Sequence, residues 1–371
     1  MPRTGDRPEP AGPPLLQEDA SGRPMVAVVG PTGSGKSDLA LQLAEAFQGE
    51  VVNCDSLQVY RHFDIGTAKL GVEERRGIPH HLIDILEPDA LFTAGEFARV
   101  ARDATARISA RGRLPIVCGG TGFYLRALLD GLFAGPARDQ ALRDRLGARE
   151  RRRAGSLHRV LRRLDRAAAA KIHPNDVPKV MRALEVCLLT RRPVTELFEQ
   201  GRAALTGYRI LKLGLLPDRD ALYQRLDARC AHMFAAGLVE EARHILELGF
   251  AETIKPFESH GYKQALQLIR GELNPREALF YAQRKTRNYA KRQITWWRRE
   301  PGLVWLRGLA KSRESSKKRW RRCGRGSGSG SRRLPRFKRP EKLRRSGCPG
   351  MPYAGSERKP RSSGCPGIPM V

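Results

Sequence analysis

The residues Gly30-Pro31-Thr32-Gly33-Ser34-Gly35-Lys36-Ser37 constrain the fold of this chain more than any other stretch of it. They fit the pattern G-x-x-x-x-G-K-[ST], and the sequence on either side fits as well. Before the loop, Met25-Val26-Ala27-Val28-Val29 is a short apolar run rich in β-branched residues; after it, Leu39, Leu43, Ala46 and Phe47 recur at helical spacing. A strand, a glycine loop and a helix in that order aim backbone N–H groups at phosphate oxygens. Lys36 adds a point charge, and the Ser37 hydroxyl can ligate Mg²⁺.

Two further short strands follow the same plan. Glu50-Val51-Val52-Asn53-Cys54 stops at Asp55, and Leu114-Pro115-Ile116-Val117-Cys118 stops at Gly119-Gly120-Thr121. Strands alternating with helices predict an α/β class: a P-loop parallel sheet with helices on both faces and ligands beyond the strands' carboxyl ends. From about Asp139 to Leu205 the pattern becomes Arg-, Ala- and Leu-rich helices without a strand, read as a helical insertion domain. Ile210-Leu211-Lys212-Leu213-Gly214-Leu215 then reads as a returning strand, followed by helices to about Arg299.

These changes divide the chain into five parts. Residues 1–24 read as a disordered N-terminal extension, 25–138 as the first part of the core, 139–207 as the insertion, 208–310 as the second part of the core, and 311–371 as a disordered basic tail. The formal net charge is +29, and the 19 Lys+Arg against 3 Asp+Glu of the last 61 residues account for much of it. The rest is basic too, which favours a polyanionic partner, because every neutralised phosphate releases condensed counterions. The seven cysteines contain no CxxC pair and no His follows His260, so a reduced cytoplasmic setting is expected and a zinc site is not. The Pro- and Gly-rich N-terminus has no apolar run long enough for a signal peptide or anchor, and nothing in the sequence calls for more than a monomer.

The phosphate loop alone suggests a P-loop kinase or an RNA-stimulated ATPase, which normally carries a metal-holding acid at the end of a later strand. Here Ile116-Val117-Cys118 ends in Gly119-Gly120-Thr121 instead, while the strand ending at Cys54 is followed by an acid. Asp55 is open to three roles: a displaced metal ligand, a general base, or a carboxylate that caps a turn. Arg225 and Arg229 are i and i+4 on one helical face and are candidates for a diphosphate, or a solvated basic face. Arg284, Arg287, Lys291, Thr295 and Arg298 share one stripe that could track a phosphate backbone. Trp296 and Trp297 are assigned to the core, and His80-His81, with no third ligand in view, to structure.

Read together, the motifs resemble one family. The loop, Asp55-Ser-Leu-Gln-Val-Tyr-Arg-His-Phe-Asp-Ile-Gly-Thr-Ala-Lys69, Pro79-His-His-Leu-Ile-Asp84, Gly119-Gly-Thr-Gly-Phe-Tyr124, His173-Pro-Asn-Asp176, Arg182-Ala-Leu-Glu185, Gly261-Tyr262 and Lys291-Arg-Gln-Ile-Thr-Trp296 occur in the order found in tRNA dimethylallyltransferases. The match runs from about Met25 to Leu306. The resemblance implies transfer of a dimethylallyl group from dimethylallyl diphosphate to N6 of the adenosine 3′-adjacent to the anticodon, in tRNAs reading codons that begin with U. The loop then grips a diphosphate leaving group, with Mg²⁺ as cofactor.

By motif, Asp55 corresponds to the family's general base and Thr121 to the hydroxyl near the bridging oxygen and diphosphate; Lys36, with the loop amides, is suited to absorb the diphosphate's growing charge. The family's tRNA-contacting segments fall on Asp55, Ser56, Leu57 and Gln58; on Pro178, Lys179, Val180, Met181 and Arg182; on Glu258, Ser259, His260, Gly261, Tyr262 and Lys263; and on Lys291, Arg292, Gln293, Ile294, Thr295, Trp296, Trp297 and Arg298. Thr121 and Arg143 match further contacts, and the insertion corresponds to a part that closes over the anticodon stem-loop. Two departures stand out: the tail lacks the histidines of a eukaryotic zinc finger, and Pro178 has no N–H to donate.

Overall fold

The computed structural model describes residues 22–199 and 201–308. Six strands form one sheet in the order β3-β2-β4-β1-β5-β6, with every neighbouring pair parallel. They are β1 (Arg23–Val29), β2 (Gly49–Asn53), β3 (His80–His81), β4 (Leu114–Gly119), β5 (Tyr208–Leu216) and β6 (Leu303–Arg307). The α/β class expected from the alternation is therefore present. Successive side chains leave a strand on opposite faces. Met25, Ala27 and Val29 join the core under α2 (Ala94–Ala110) and α3 (Gly122–Leu129), while Val26 and Val28, equally buried, face the side covered by α1 (Lys36–Phe47).

Some boundaries differ from the sequence reading. β1 begins at Arg23, because Arg23 to Val29 pair in register with Tyr208 to Gly214; Arg23 and Pro24 thus belong to the core and not to an extension. β3 and β6 were not anticipated. Two residues are too few to show alternation, and β6 is a half-exposed edge whose register on β5 is set by its partner. His80 and His81 serve structure: His80 Nδ1 lies 2.8 Å from the Ile78 carbonyl, and His81 Nε2 lies 2.7 Å from Glu50. The expected tail, residues 311–371, lies outside the described residues, as does most of the N-terminal extension.

The insertion consists of α4 (Gln140–Arg152), α5 (Ser156–Leu164), α6 (Arg166–Lys171), α7 (Val177–Thr190) and α8 (Val194–Glu199). It owns a separate core of Leu142, Leu146, Leu157, Leu161, Leu184 and Leu197 with smaller residues. Each such side chain contributes about 1.5–3 kcal/mol on burial. Helices α9 (Arg219–Ala235), α10 (Leu238–Glu247), α11 (Tyr262–Ile269) and α12 (Pro275–Trp297) complete the fold. Asp218 caps α9 and a reciprocal Asn274/Glu277 box caps α12, so both helices start where their sequence says they should. Among the described residues no helix is long and apolar enough to cross a membrane.

Candidate active site

The phosphate loop, Asp55 and Thr121 lie just beyond the carboxyl ends of β1, β2 and β4, which are neighbours in the sheet. The loop bends there because Gly33 and Gly35 sit at φ 75° and 88°, a conformation that side chains rarely tolerate. Lys36 folds back so that Nζ donates to the Pro31 carbonyl at 2.8 Å. Burial lowers its pKa to about 8, partly countered by Cys118 and Asp55. The Ser37 hydroxyl is on the exposed first turn of α1, and the Ser34 hydroxyl is buried with no hydrogen-bond partner among the described residues.

Asp55 is held by a local turn. Its N–H donates to Asn53 Oδ1 at 3.1 Å, and its Oδ1 accepts from the Leu57 N–H at 2.9 Å. Asn53 is itself fixed, donating to the Leu82 carbonyl at 2.9 Å. The turn-carboxylate role therefore occupies Oδ1 and leaves Oδ2 without a protein partner among the described residues. Thr121 Oγ1 accepts from the Ser56 N–H at 3.2 Å, which links the ends of β2 and β4 and leaves the hydroxyl hydrogen to donate elsewhere.

The glycines before and after Thr121 are steric necessities. A Cβ on Gly119 would lie 2.1 Å from the Cys54 carbonyl oxygen, and one on Gly122 would lie 1.9 Å from Trp296 Nε1. Helix α12 thus packs directly onto this turn. Its buried Gln293 accepts from the Thr32 N–H at 2.8 Å and donates to the Gly120 carbonyl at 3.0 Å, joining the phosphate loop to the β4 turn. The sequence reading placed Gln293 only in an RNA-contacting segment. A signal was present: Ala282, Thr286, Ala290, Gln293 and Trp297 form the buried face of α12, and an amide on such a face needs partners.

These groups form one wall of a cavity of about 940 Å³. Arg229 lines it and donates to Thr32 Oγ1 at 2.6 Å; its Nε has no partner among the described residues, and burial lowers its pKa. Arg225, expected to share that task, does not line the cavity and lies 3.8 Å from Asp38. A turn of the helix separates the two arginines, and the packing of α9 leaves one inside and one out. Cys230, Met233, Phe234, Leu238 and Ala282 make an apolar side, and Tyr289 sits near Asp55, its phenol pKa pushed up by burial and by that charge. On the insertion side the lining is Phe133, Pro136, Arg138, Arg143 and Arg182.

The remaining expected contacts divide by exposure. Ser56, Leu57, Glu258, Ser259, His260, Gly261 and Arg292 line the cavity, whereas Pro178, Lys179, Lys263, Lys291, Thr295 and Arg298 are exposed outside it. Gln58 braces the loop that follows, donating to the Thr67 carbonyl at 3.1 Å. Val180, Tyr262 and Trp297 are buried, and Met181 and Ile294 pack against apolar clusters, so these side chains are occupied by the core. Tyr262 hydrogen-bonds Glu241 and accepts from the Gly66 N–H at 3.1 Å. Trp296 is partly buried beneath the Arg126 guanidinium, 4.6 Å from its ring. Arg287 leaves the expected basic stripe: its guanidinium is 2.5 and 2.6 Å from the Asp227 carboxylate, tying α12 to α9.

Fold and site define a P-loop α/β protein with a carboxylate and a hydroxyl beside its phosphate loop and arginines across the cavity. The family model described as IPP transferase matches residues 58–300. The tRNA dimethylallyltransferase of Solibacter usitatus is 77% identical over 291 residues, covering 78% of this chain and 95% of that protein. That of Koribacter versatilis is 56% identical, covering 77% and 93%. Among solved structures, the tRNA isopentenylpyrophosphate transferase of Bacillus halodurans is 36% identical with a TM-score of 0.60, covering 81% of this chain and 95% of that one. A eukaryotic dimethylallyltransferase acting on tRNA is 29% identical with a TM-score of 0.68, covering 81% and 77%. The chain belongs to the IPP transferase family.

Proposed function

We propose that this chain is a tRNA prenyltransferase that moves the dimethylallyl group of dimethylallyl diphosphate to N6 of the adenosine 3′-adjacent to the anticodon, in tRNAs reading codons that begin with U, and releases diphosphate. One observation carries the reading: Lys36, Asp55 and Thr121, which follow three neighbouring strands, line a single cavity that Arg143 and Arg182 of the insertion also line. The family's named activity supports the substrates.

The residues divide the work. The phosphate loop, Lys36 and Arg229 hold the diphosphate and take up its growing negative charge. Thr121 donates its hydroxyl hydrogen toward the leaving oxygen. As the adenine nitrogen bonds to the prenyl carbon and the carbon–oxygen bond breaks, Oδ2 of Asp55 accepts the amine proton. The apolar side formed by Met233, Phe234 and Leu238 excludes water that would otherwise compete for the prenyl carbon.

Mg²⁺ usually keeps most of its waters and binds through one or two protein oxygens plus substrate phosphates, and the exposed Ser37 hydroxyl beside the loop fits that mode. When bound, the ion would neutralise diphosphate charge. The rival P-loop kinase or ATPase is disfavoured by β4, which ends in Gly119 with no carboxylate behind it. A monomeric, cytoplasmic enzyme completes the proposal.

The test is transfer of label from dimethylallyl diphosphate to tRNA with adenosine beside the third anticodon position. Labelled tRNA is the expected result. Absence of transfer together with RNA-stimulated ATP hydrolysis would move the chain to the rival class.

A further inference from the structure

We infer that Glu185 is a positioning residue for RNA binding: it holds the guanidinium groups of Arg143 and Arg182 in fixed orientations at the cavity, without lining the cavity itself. The inference rests on the proposed function for the identity of the RNA and on the geometry below for everything else.

Glu185 is on α7, with no exposed surface. Four N–H donors meet its carboxylate. Oε1 accepts from the Asp139 N–H and from Arg143 Nε, both at 2.8 Å; Oε2 accepts from Arg143 Nη2 at 2.9 Å and from Arg182 Nη1 at 2.6 Å. These bonds hold its carboxyl down at about 2 despite complete burial. Arg182 also donates through Nη2 to the Pro136 carbonyl at 3.0 Å, and its guanidinium lies 6.0 Å from the Phe133 ring. One carboxylate thus joins the segment entering the insertion, the first turn of α4 and the middle of α7.

Only the two arginines, and not the carboxylate, face the cavity. Each guanidinium carries five N–H donors and spends two on the contacts above, so three remain on each. Two positive charges meet one negative charge, which leaves a surplus to attract a phosphate. Stability alone is a weak reason for such a cluster, since well-packed apolar residues of similar volume usually serve a buried site as well or better. An apolar replacement cannot present oriented donors to a polyanion.

Positioning and plain electrostatics make opposite forecasts. Glu185→Gln removes a negative charge near the RNA, so electrostatics alone would tighten binding. Positioning forecasts the reverse, because the amide nitrogen repels one guanidinium and frees it to turn. Titration of full-length protein with a fluorescent anticodon stem-loop should show Glu185→Gln weakening binding on the order of tenfold, with the KM for dimethylallyl diphosphate moving less than about twofold.

Arg143→Lys keeps the charge, is less exposed to folding failure than a change at the buried carboxylate, and lacks the two-point fork; it should weaken binding similarly. In an Arg143→Ala, Arg182→Ala background, Glu185→Gln should add little. Unchanged or tighter RNA binding by Glu185→Gln, or full affinity in Arg143→Lys, overturns the inference. Loss of RNA affinity matched by an equal rise in donor KM also overturns it, since that marks a general structural defect. Failure of wild-type protein to transfer the prenyl group would instead sink the proposed function, because the binding titration requires no chemistry.

Discussion

The two sides of the cavity are built in different ways. The strand-end wall is shaped by short turns, with Asp55 fixed by residues two positions away and the phosphate loop bent at its own glycines; long-range bonds such as those of Gln293 join turns that are already formed. The insertion side is assembled from residues far apart in sequence, with Arg143 and Glu185 separated by 42 positions and Arg182 reaching back 46 to Pro136. Local turns can hold reacting atoms to a fraction of an ångström because few soft dihedrals intervene. A surface that must receive a large polyanion tolerates more play, and long-range ion pairs can orient it. Under the proposed function, chemistry falls to the strand ends and RNA grip to the insertion and the exposed face of α12.

The sharpest way to break that division is Asp55→Asn. Transfer should fall about 10²- to 10⁴-fold while stem-loop affinity stays within about threefold; comparable losses in both would make Asp55 part of the grip. Next is Gln293→Leu, which removes the amide joining the Thr32 N–H to the Gly120 carbonyl. Donor KM should rise roughly tenfold with RNA binding spared, and the opposite pattern would return Gln293 to the RNA-contacting segment.

A pH series probes the same wall. Lys36 is charged below about 8 and loses its proton as the pH rises through that value, well under its usual 10.5. Donor KM should therefore be flat from roughly pH 6.5 to 7.5 and climb several-fold by about pH 9. A flat profile across that range would mean that Lys36 keeps its charge or does not hold the donor.

The smallest effects separate residues of α12 that look alike in sequence. Arg284→Ala or Lys291→Ala should lessen the salt dependence of RNA binding by about one counterion each. Arg287→Ala should leave that slope unchanged and lower the melting temperature by a few degrees, about 2–4 °C per kcal/mol lost, because Arg287 is spent on Asp227. A slope that changes in Arg287→Ala would restore it to the RNA-facing stripe.

Much of the fold was legible in advance. β1, β2, β4 and β5 were marked by apolar runs, and the insertion by a change to Leu and Ala at helical spacing. β3 and β6 were not, since a two-residue strand and a half-exposed edge have no pattern of their own. Within the site, the loop, Asp55 and Thr121 were found by motif, while the separation of Arg229 from Arg225 and of Arg287 from Lys291 was invisible. The members of each pair carry the same charge, and only packing against another helix tells them apart.

The sequence by itself thus determined the phosphate loop, the strand ends that carry it and the basic character of the chain. The loop and strand ends rest on residues within a few positions of one another, where backbone geometry allows little choice, and the charge is a sum over composition that no fold changes. Tertiary structure alone decided that Gln293 bridges two loops, that Glu185 rather than solvent receives Arg143, and that the Tyr262 hydroxyl meets Glu241 and the Gly66 N–H. Those outcomes depend on which buried polar group finds a partner across tens to hundreds of residues, and no local pattern encodes that choice.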